Sequence, residues 1–366
     1  MVYSQSIGEK VSYSYQLDPA AWSDLSLLSL CQSPAGAWLH WLPGQLQLQL
    51  TEDVTMLSEA QCKLESLQTK THATIRLFGT ELTLKPLNQL LGSLDVLQGK
   101  PIRMSVLQPH AELEPALLLS LPVNLDHHAQ QQLMLLGQSM ELELVYLEQA
   151  PNLLQPGLLV MDMDSTAIQI ECIDEIARLA GVGEEVAKVT AKAMHGELDF
   201  AASLRERVSA LAGAEEKILA KVLNTLPLMP GLTELVQTLQ QHGWHVAIAS
   251  GGFTYFTDAL QQQLKLSATF ANQLEIEQGK LTGQVKGEIV DASRKAEALG
   301  QLAIQYHIPK AQQVAIGDGA NDLPMLAAAG LGVAFHAKPV VQAQAKAAIR
   351  QGSLLQLLYL LDNGPA

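Results

Sequence analysis

Cysteine is scarce: the 366 residues hold three, Cys31, Cys62 and Cys172, scattered and without CxxC spacing. That argues against a disulfide framework and a zinc knuckle, and the fit is to a reducing cytoplasm. Positive charge is short as well. Lys and Arg number 23 against 37 Asp and Glu, a formal charge of −14, which opposes non-specific attraction to nucleic acid or an anionic membrane. An anionic substrate must then be held by local cations, backbone donors or a metal. Long apolar runs are missing: Ala116–Val123 and Leu158–Met161 fall well below the roughly 20 residues that span a bilayer. Met1–Ser6 lacks the basic-then-apolar pattern of a secretory leader, so export is not expected. No GxxxxGK[ST] loop occurs, which disfavours a nucleotide kinase. The expected partner is a small-molecule substrate, with no nucleic acid and no membrane; a homodimer is compatible with the sequence.

What the chain has in quantity is apolar residues, 48% against 16% charged, and a length that favours two globular domains over one. The first 70 residues mix periodicities, although Leu46-Gln47-Leu48-Gln49-Leu50 alternates like a strand. From Thr71 the pattern sharpens. Thr71–Phe78, Ile102–Leu107, Ala116–Val123 and Glu141–Leu147 read as strands, with helices at Leu87–Leu97 and from Asp126. The order βαββαβ is ferredoxin-like, an arrangement shared with small amino-acid-binding regulatory modules; order alone does not give function. Pro151–Gly157 reads as a hinge. The expected domains are therefore an accessory α+β region, 1–150, ferredoxin-like from about 71, and a second domain, 151–366.

In the second domain, Leu158–Met161, Val246–Ala249 and Val314–Ile316 are continuous apolar runs, each followed by a polar turn and a helix-like segment. This predicts an α/β fold with a doubly wound, Rossmann-like parallel sheet whose ligands sit beyond the carboxyl ends of the strands. A long helical stretch at about 173–230 separates the first two strands, and a cap that excludes water is the natural reading.

The turns carry the chemistry. Asp162-Met163-Asp164-Ser165-Thr166 follows the first strand, Ser250-Gly251-Gly252 the second and Gly317-Asp318-Gly319-Ala320-Asn321-Asp322 the third. Any one of these could be capping and turn residues. Together they put carboxylates and a phosphate-cradling turn, read as the start of a helix, at one sheet edge. Hard oxygen ligands without His or Cys select Mg²⁺ shared with a substrate phosphate, and a strand-end carboxylate can serve as nucleophile.

With a lysine upstream of the third strand, these turns resemble the four motifs of the haloacid dehalogenase superfamily. Ile170–Ala177, Met194–Phe200 and Ser203–Val208 extend the resemblance to a bacterial branch acting on a phosphorylated amino acid, over about 157–352. The resemblance implies Mg²⁺-dependent hydrolysis of O-phospho-L-serine, completing L-serine synthesis. Asp162 would be the nucleophile, forming an aspartyl phosphate, and Asp164 the general acid and base. The Asp162 carboxylate, the Asp164 carbonyl and Asp318 would hold the metal. Ser250, the Gly251 amide and Lys295 would clamp phosphate beside Asn321, with Asp322 orienting Lys295 or a metal-bound water rather than binding metal directly. Lys295 is preferred to Lys280, Lys286 and Arg294 because it opens the helix-like run Ala296–Leu302 and stands 23 residues before Asp318, where the family lysine lies. Glu171 and Arg207 would read the substrate's ammonium and carboxylate, and Met194 and Phe200 would shield the site. Two alternatives stand beside this reading. The substrate could be phosphothreonine or another small phosphomonoester, or the chain could be an amino-acid-sensing binding protein.

Overall fold

The computed structural model describes residues 5–7, 10–31, 37–50, 71–79, 82–140, 142–195 and 197–362. Cys62, Glu141, Gly196 and the Met194 side chain lie outside the described residues. The chain divides into two compact units, Met1–Ala150 with Leu358–Ala366, and Pro151–Leu357. No described helix is long and apolar enough to cross a membrane.

The first unit runs β1 (Gln5–Ile7), β2 (Lys10–Leu17), α1 (Leu27–Leu30), β3 (Ala37–Leu42), β4 (Gln45–Leu50), β5 (Ala73–Phe78), α2 (Leu84–Ser93), β6 (Pro101–Leu107), β7 (Ala116–Leu121), α3 (His127–Met140) and β8 (Glu143–Leu147). Among the described residues its strands form one antiparallel sheet in the order β1-β2-β4-β3-β6-β7-β5-β8. The last four strands with α2 and α3 are the expected βαββαβ motif. The earlier strands extend the same sheet, because β3 pairs with β6 from Ala37↔Met104 to His40↔Pro101. Alternation buries Leu46 and Leu48 of β4 and Ala37, Leu39 and Trp41 of β3 in the core that α2 also enters through Leu84, Leu87, Leu90 and Leu91. The final residues join this unit for a specific reason. Arg76 on β5 is 1% exposed, and a buried guanidinium needs a partner. Asp362 accepts from it at 2.6 Å, and the Tyr359 ring packs on Phe78 at 4.7 Å.

The second unit runs β9 (Leu158–Met161), α4 (Cys172–Ala180), α5 (Gly183–Met194), α6 (Phe200–Ser209), α7 (Lys217–Asn224), α8 (Leu232–Gln241), β10 (His245–Phe253), α9 (Thr254–Leu264), β11 (Ala268–Glu277), β12 (Lys280–Lys286), α10 (Ala292–Gln305), β13 (Gln313–Gly317), α11 (Leu323–Ala328), β14 (Leu331–Phe335), α12 (Pro339–Gln342) and β15 (Ala347–Ile349). The sheet order is β12-β11-β10-β9-β13-β14-β15, parallel except for the edge hairpin β11–β12, which the sequence reading lacked. All four residues of β9 are buried, as an interior parallel strand requires. Its register puts Met161 level with Ile248 of β10 and Ile316 of β13, so the following polar residues emerge side by side at the point where the winding reverses.

Helices α4–α7 form the expected insertion. Its entry and exit are clipped together, Gln169 donating to the Pro227 carbonyl and Met229 to that of Ala167. Two local expectations need correction. Ser250-Gly251-Gly252 does not start a helix; it lies in β10, with a register shift between Ala249 and Phe253, and α9 begins only at Thr254. Lys295 does not open its helix; α10 begins at Ala292, where the Asp291 carboxylate accepts from the Arg294 amide and caps it.

Gly157, just before β9, faces the Trp244 ring, which is buried and donates to the Leu153 carbonyl at 3.0 Å. A β-carbon at 157 would lie 2.5 Å from ring carbons that cannot yield. Gly157→Ala should therefore destabilise the protein by about 1–3 kcal/mol, as overpacking does. Denaturant unfolding checks this, and an unchanged midpoint would contradict it.

Candidate active site

The turn after β9 sets the first carboxylates. Asp162 keeps extended backbone, and its Oδ1 accepts from the Met163 amide at 2.7 Å. Two residues on, Asp164 is followed by Ser165 in the left-handed region (φ 56°), a conformation unusual for a residue with a β-carbon. That bend sends the Ser165 hydroxyl to Glu171 Oε1 at 2.9 Å. It also brings Asp164 Oδ1 under the Cys172 amide, at the first residue of α4, at 3.2 Å.

From α10, the Lys295 ammonium reaches both Asp162 Oδ2 at 2.7 Å and Asp322 Oδ1 at 2.8 Å. Lys295 is 1% exposed and Asp322 0%. Burial opposes the lysine's charge, but the two carboxylates overcome it and raise its pKa. Asp322 has its second oxygen on the Gly319 amide at 3.0 Å, so both of its oxygens are engaged. Asp318 accepts from the buried Thr166 hydroxyl at 3.3 Å. Carboxylate oxygens of Asp162, Asp318 and Asp322 all lie within 4.8 Å of one another. An all-oxygen donor set without His or Cys suits a hard divalent cation.

The crowding shows in the titration of these groups. Asp164 is raised well above the usual carboxylate range, first by burial, then by Glu171 and Asp162. Asp318 is pushed up to about 7 by burial, then by Asp162 and Asp322, and Asp322 to about 6 by burial, then by Asp162. Glu171 is exposed overall, yet desolvation of its carboxyl is the first cause of its raised pKa, followed among raising causes by Asp162 and Asp174.

On the other strands, Ser250 is buried, its hydroxyl accepting from the Gly252 amide at 3.0 Å. A β-carbon at Gly251 would lie 2.6 Å from the Phe200 ring, which places that ring against Gly251. Asn321 occupies the short turn Ala320–Asp322 with its side chain against Gly319. Arg207, on the last turn of α6, is half-buried and senses Asp174, then Glu171, then Asp164. Burial lowers its pKa, and its Nε is buried without a hydrogen-bond partner.

Sequence reasoning missed several supporting groups. Asp174 lies one helical turn from Glu171 and carries the strongest charge influence on Arg207; that spacing was the available signal. Thr166 was visible only as part of the motif. Asn272, fully buried on β11, donates to the Gly251 carbonyl at 2.8 Å and accepts from the Val290 amide at 2.9 Å, and nothing in its local sequence marks it.

Residues 157–330 match the model of a family described as haloacid dehalogenase-like hydrolase. The chain is similar to a phosphoserine phosphatase of Vibrio cholerae serotype O1, 62% identical over 61% of this chain and 68% of that protein. A crystal structure titled as a probable phosphoserine phosphatase from Vibrio cholerae superposes with TM-score 0.65 and 48% identity, over 79% of this chain and 86% of the other. A substrate-bound phosphoserine phosphatase complex superposes with TM-score 0.54 and 39% identity, over 57% and 99%.

The raised pKa of Asp318 has a consequence for stability in metal-free buffer. Its folded value of about 7 lies above the ~3.9 of an unfolded carboxyl, so the folded state favours the protonated form. The penalty it imposes is absent below about pH 4, grows as the pH rises, and is complete above about 7. The thermal midpoint of Asp318→Asn in EDTA should therefore gain on wild type between those pH values and hold its lead above. A pH-independent difference would contradict the electrostatics described here.

Proposed function

Because the chain belongs to the haloacid dehalogenase-like hydrolase family, we propose that it hydrolyses O-phospho-L-serine to L-serine and phosphate, in the cytoplasm and with Mg²⁺ as its metal. The observation that carries this reading is the pairing of two differently held carboxylates, Asp162 on Lys295 and Asp164 under the Cys172 amide, with Glu171 and Arg207 near enough to feel each other's charge and that of these acids.

Asp162, fixed by Lys295 and the Met163 amide, attacks phosphorus; its bond to phosphorus forms as the ester bond to the serine oxygen breaks. An alkoxide is a poor leaving group. Asp164, whose pKa is raised first by burial and then by Glu171 and Asp162 so that its protonated form is favoured, delivers a proton to the departing oxygen. The Asp164 carboxylate then takes a proton from water as the water attacks the aspartyl phosphate, which frees Asp162 and phosphate. Ser250, the Gly251 amide and Lys295 hold the phosphoryl oxygens, with Asn321 adjoining. The Asp162 carboxylate, the Asp164 carbonyl and Asp318 would hold the Mg²⁺, which lets an anionic carboxylate meet an anionic phosphate. Glu171 takes the substrate ammonium and Arg207, with its free Nε, the carboxylate. Phe200 closes the wall over Gly251.

Phosphate release from phosphoserine, phosphothreonine and p-nitrophenyl phosphate, with Mg²⁺ or with EDTA, tests the reading. Phosphoserine should be the best substrate and EDTA should stop its turnover; a preference for either other ester would replace it. Asp162→Asn should lose roughly 10³-fold or more, since no other group there can form the covalent intermediate. Activity within about tenfold of wild type would remove Asp162 as nucleophile.

Arg207→Ala should leave the substrate carboxylate desolvated and unpaired, at about 2–5 kcal/mol, or about 30-fold to several-thousand-fold in kcat/KM. Phosphoethanolamine, which has no carboxylate, should react poorly with wild type and change little on mutation. Equal losses on both substrates would assign Arg207 to the cap or the phosphate instead.

A further inference from the structure

Resting on the assignment of Ser250 to the substrate phosphate, we infer that Asn272 is a positioning residue for that hydroxyl, acting through the Gly251–Gly252 peptide. Between the pairs Ala249↔Phe270 and Phe253↔Asn272, three residues of β10 stand against one of β11. Those three are Ser250, Gly251 and Gly252, and ladder bonds to one residue cannot serve them all. The Asn272 side chain steps in, its Nδ2 donating to the Gly251 carbonyl at 2.8 Å. The N–H of the same peptide unit belongs to Gly252, and it donates to Ser250 Oγ at 3.0 Å. A peptide unit is planar and rigid, so a bond that holds its carbonyl also sets where its N–H points.

Ser250 is buried, and a hydroxyl has one hydrogen and two lone pairs. With the Gly252 amide on a lone pair, the hydrogen turns away from that amide and is left to donate. Asp164 Oδ2 borders the same space, since a β-carbon at Gly252 would lie 3.2 Å from Ser250 Oγ and 2.9 Å from Asp164 Oδ2. Asn272 is itself pinned. It is 0% exposed, and its Oδ1 accepts from the Val290 amide at 2.9 Å. A carboxamide supplies both the donor that the carbonyl needs and the acceptor that the amide needs, which no apolar side chain does. Val290 adjoins Asp291, the cap of α10, and α10 carries Lys295. One buried side chain thus links the serine and lysine arms of the proposed clamp.

The clamp meets the phosphoryl group that every ester shares. Asn272→Leu, similar in size but without hydrogen bonds, should therefore lower kcat/KM about tenfold for phosphoserine and p-nitrophenyl phosphate alike. Calorimetric binding of inorganic phosphate in Mg²⁺ should weaken to a similar degree. A double-mutant cycle with Ser250→Ala separates positioning from packing. Once the hydroxyl is gone, Asn272→Leu should cost less than about threefold further in either readout, because its effect runs through the missing group. If Asn272→Leu does not fold, Asn272→Ala, which adds no bulk, should give the same cycle. A repeat of the full tenfold loss in the Ser250→Ala protein, no loss in the single variant, or a loss confined to phosphoserine would each overturn the role of Asn272. Absence of phosphoserine hydrolysis by wild type would instead overturn the functional reading, and the phosphate-binding cycle would still decide the role of Asn272.

Discussion

A surplus of negative charge at one sheet edge governs the second unit. Asp162, Asp164, Asp318 and Asp322 converge there with Glu171 near them, and Lys295 is the ammonium buried among them. A buried carboxylate is costly without compensation, and one lysine shared by two acids leaves others unbalanced. The raised pKa values of Asp164, Asp318 and Asp322 express that imbalance. A site so poor in cations repels a phosphate ester unless a cation enters with it. The need for a metal is thus a property of the charge distribution as much as of the family.

The cap supplies what the sheet edge lacks. Arg207 is brought from α6, and the chain after α6 is sewn to the β11–β12 hairpin: Gly213 and Glu216 donate to Leu281 and Gly279, and Leu281 donates to Ala214. Close packing of Gly283 under Ser209 and Ala212 extends the seam. Arg207, in the last turn of α6 just before this anchored stretch, keeps a buried Nε without a hydrogen-bond partner. The same hairpin carries Asn272, which donates to the Gly251 carbonyl, so one accessory element braces both the chain after α6 and the turn at Gly251.

How much of this was legible depended on the range of the interactions. The strand-end acids could be read because Leu158–Met161 and Val314–Ile316 are plain apolar runs and the polar residues follow at once. Alternation in Leu46–Leu50 was visible too, but not its place in an eight-stranded sheet, since β3 links to β6 across more than 50 residues of chain. Ser250-Gly251-Gly252 looked like a helix start because glycine favours turns, whereas β10 runs on through it, across the register shift between Ala249 and Phe253, which both pair with β11. Lys295 was singled out among neighbouring cations by family spacing. Its burial between two acids is a tertiary fact that no window around it contains. Cys172 read as a small buried side chain, which it is; that its backbone amide meets Asp164 follows only once the Ser165 bend has brought Asp164 beneath α4.

That bend explains how two aspartates two residues apart come to differ. On an unbroken strand, residues 162 and 164 would share a face and similar surroundings. The left-handed Ser165 and the turn into Cys172 separate them instead. Asp162 faces an ammonium that stabilises the anion a nucleophile must be, whereas Asp164 faces burial and like charges that favour the protonated form an acid must be. The division of labour between the proposed nucleophile and the proposed acid is therefore written in their neighbours rather than in the residue type. Glycine at 252 and the first amide of α4 belong to that division, because a β-carbon at 252 would lie 2.9 Å from one Asp164 oxygen while the Cys172 amide holds the other.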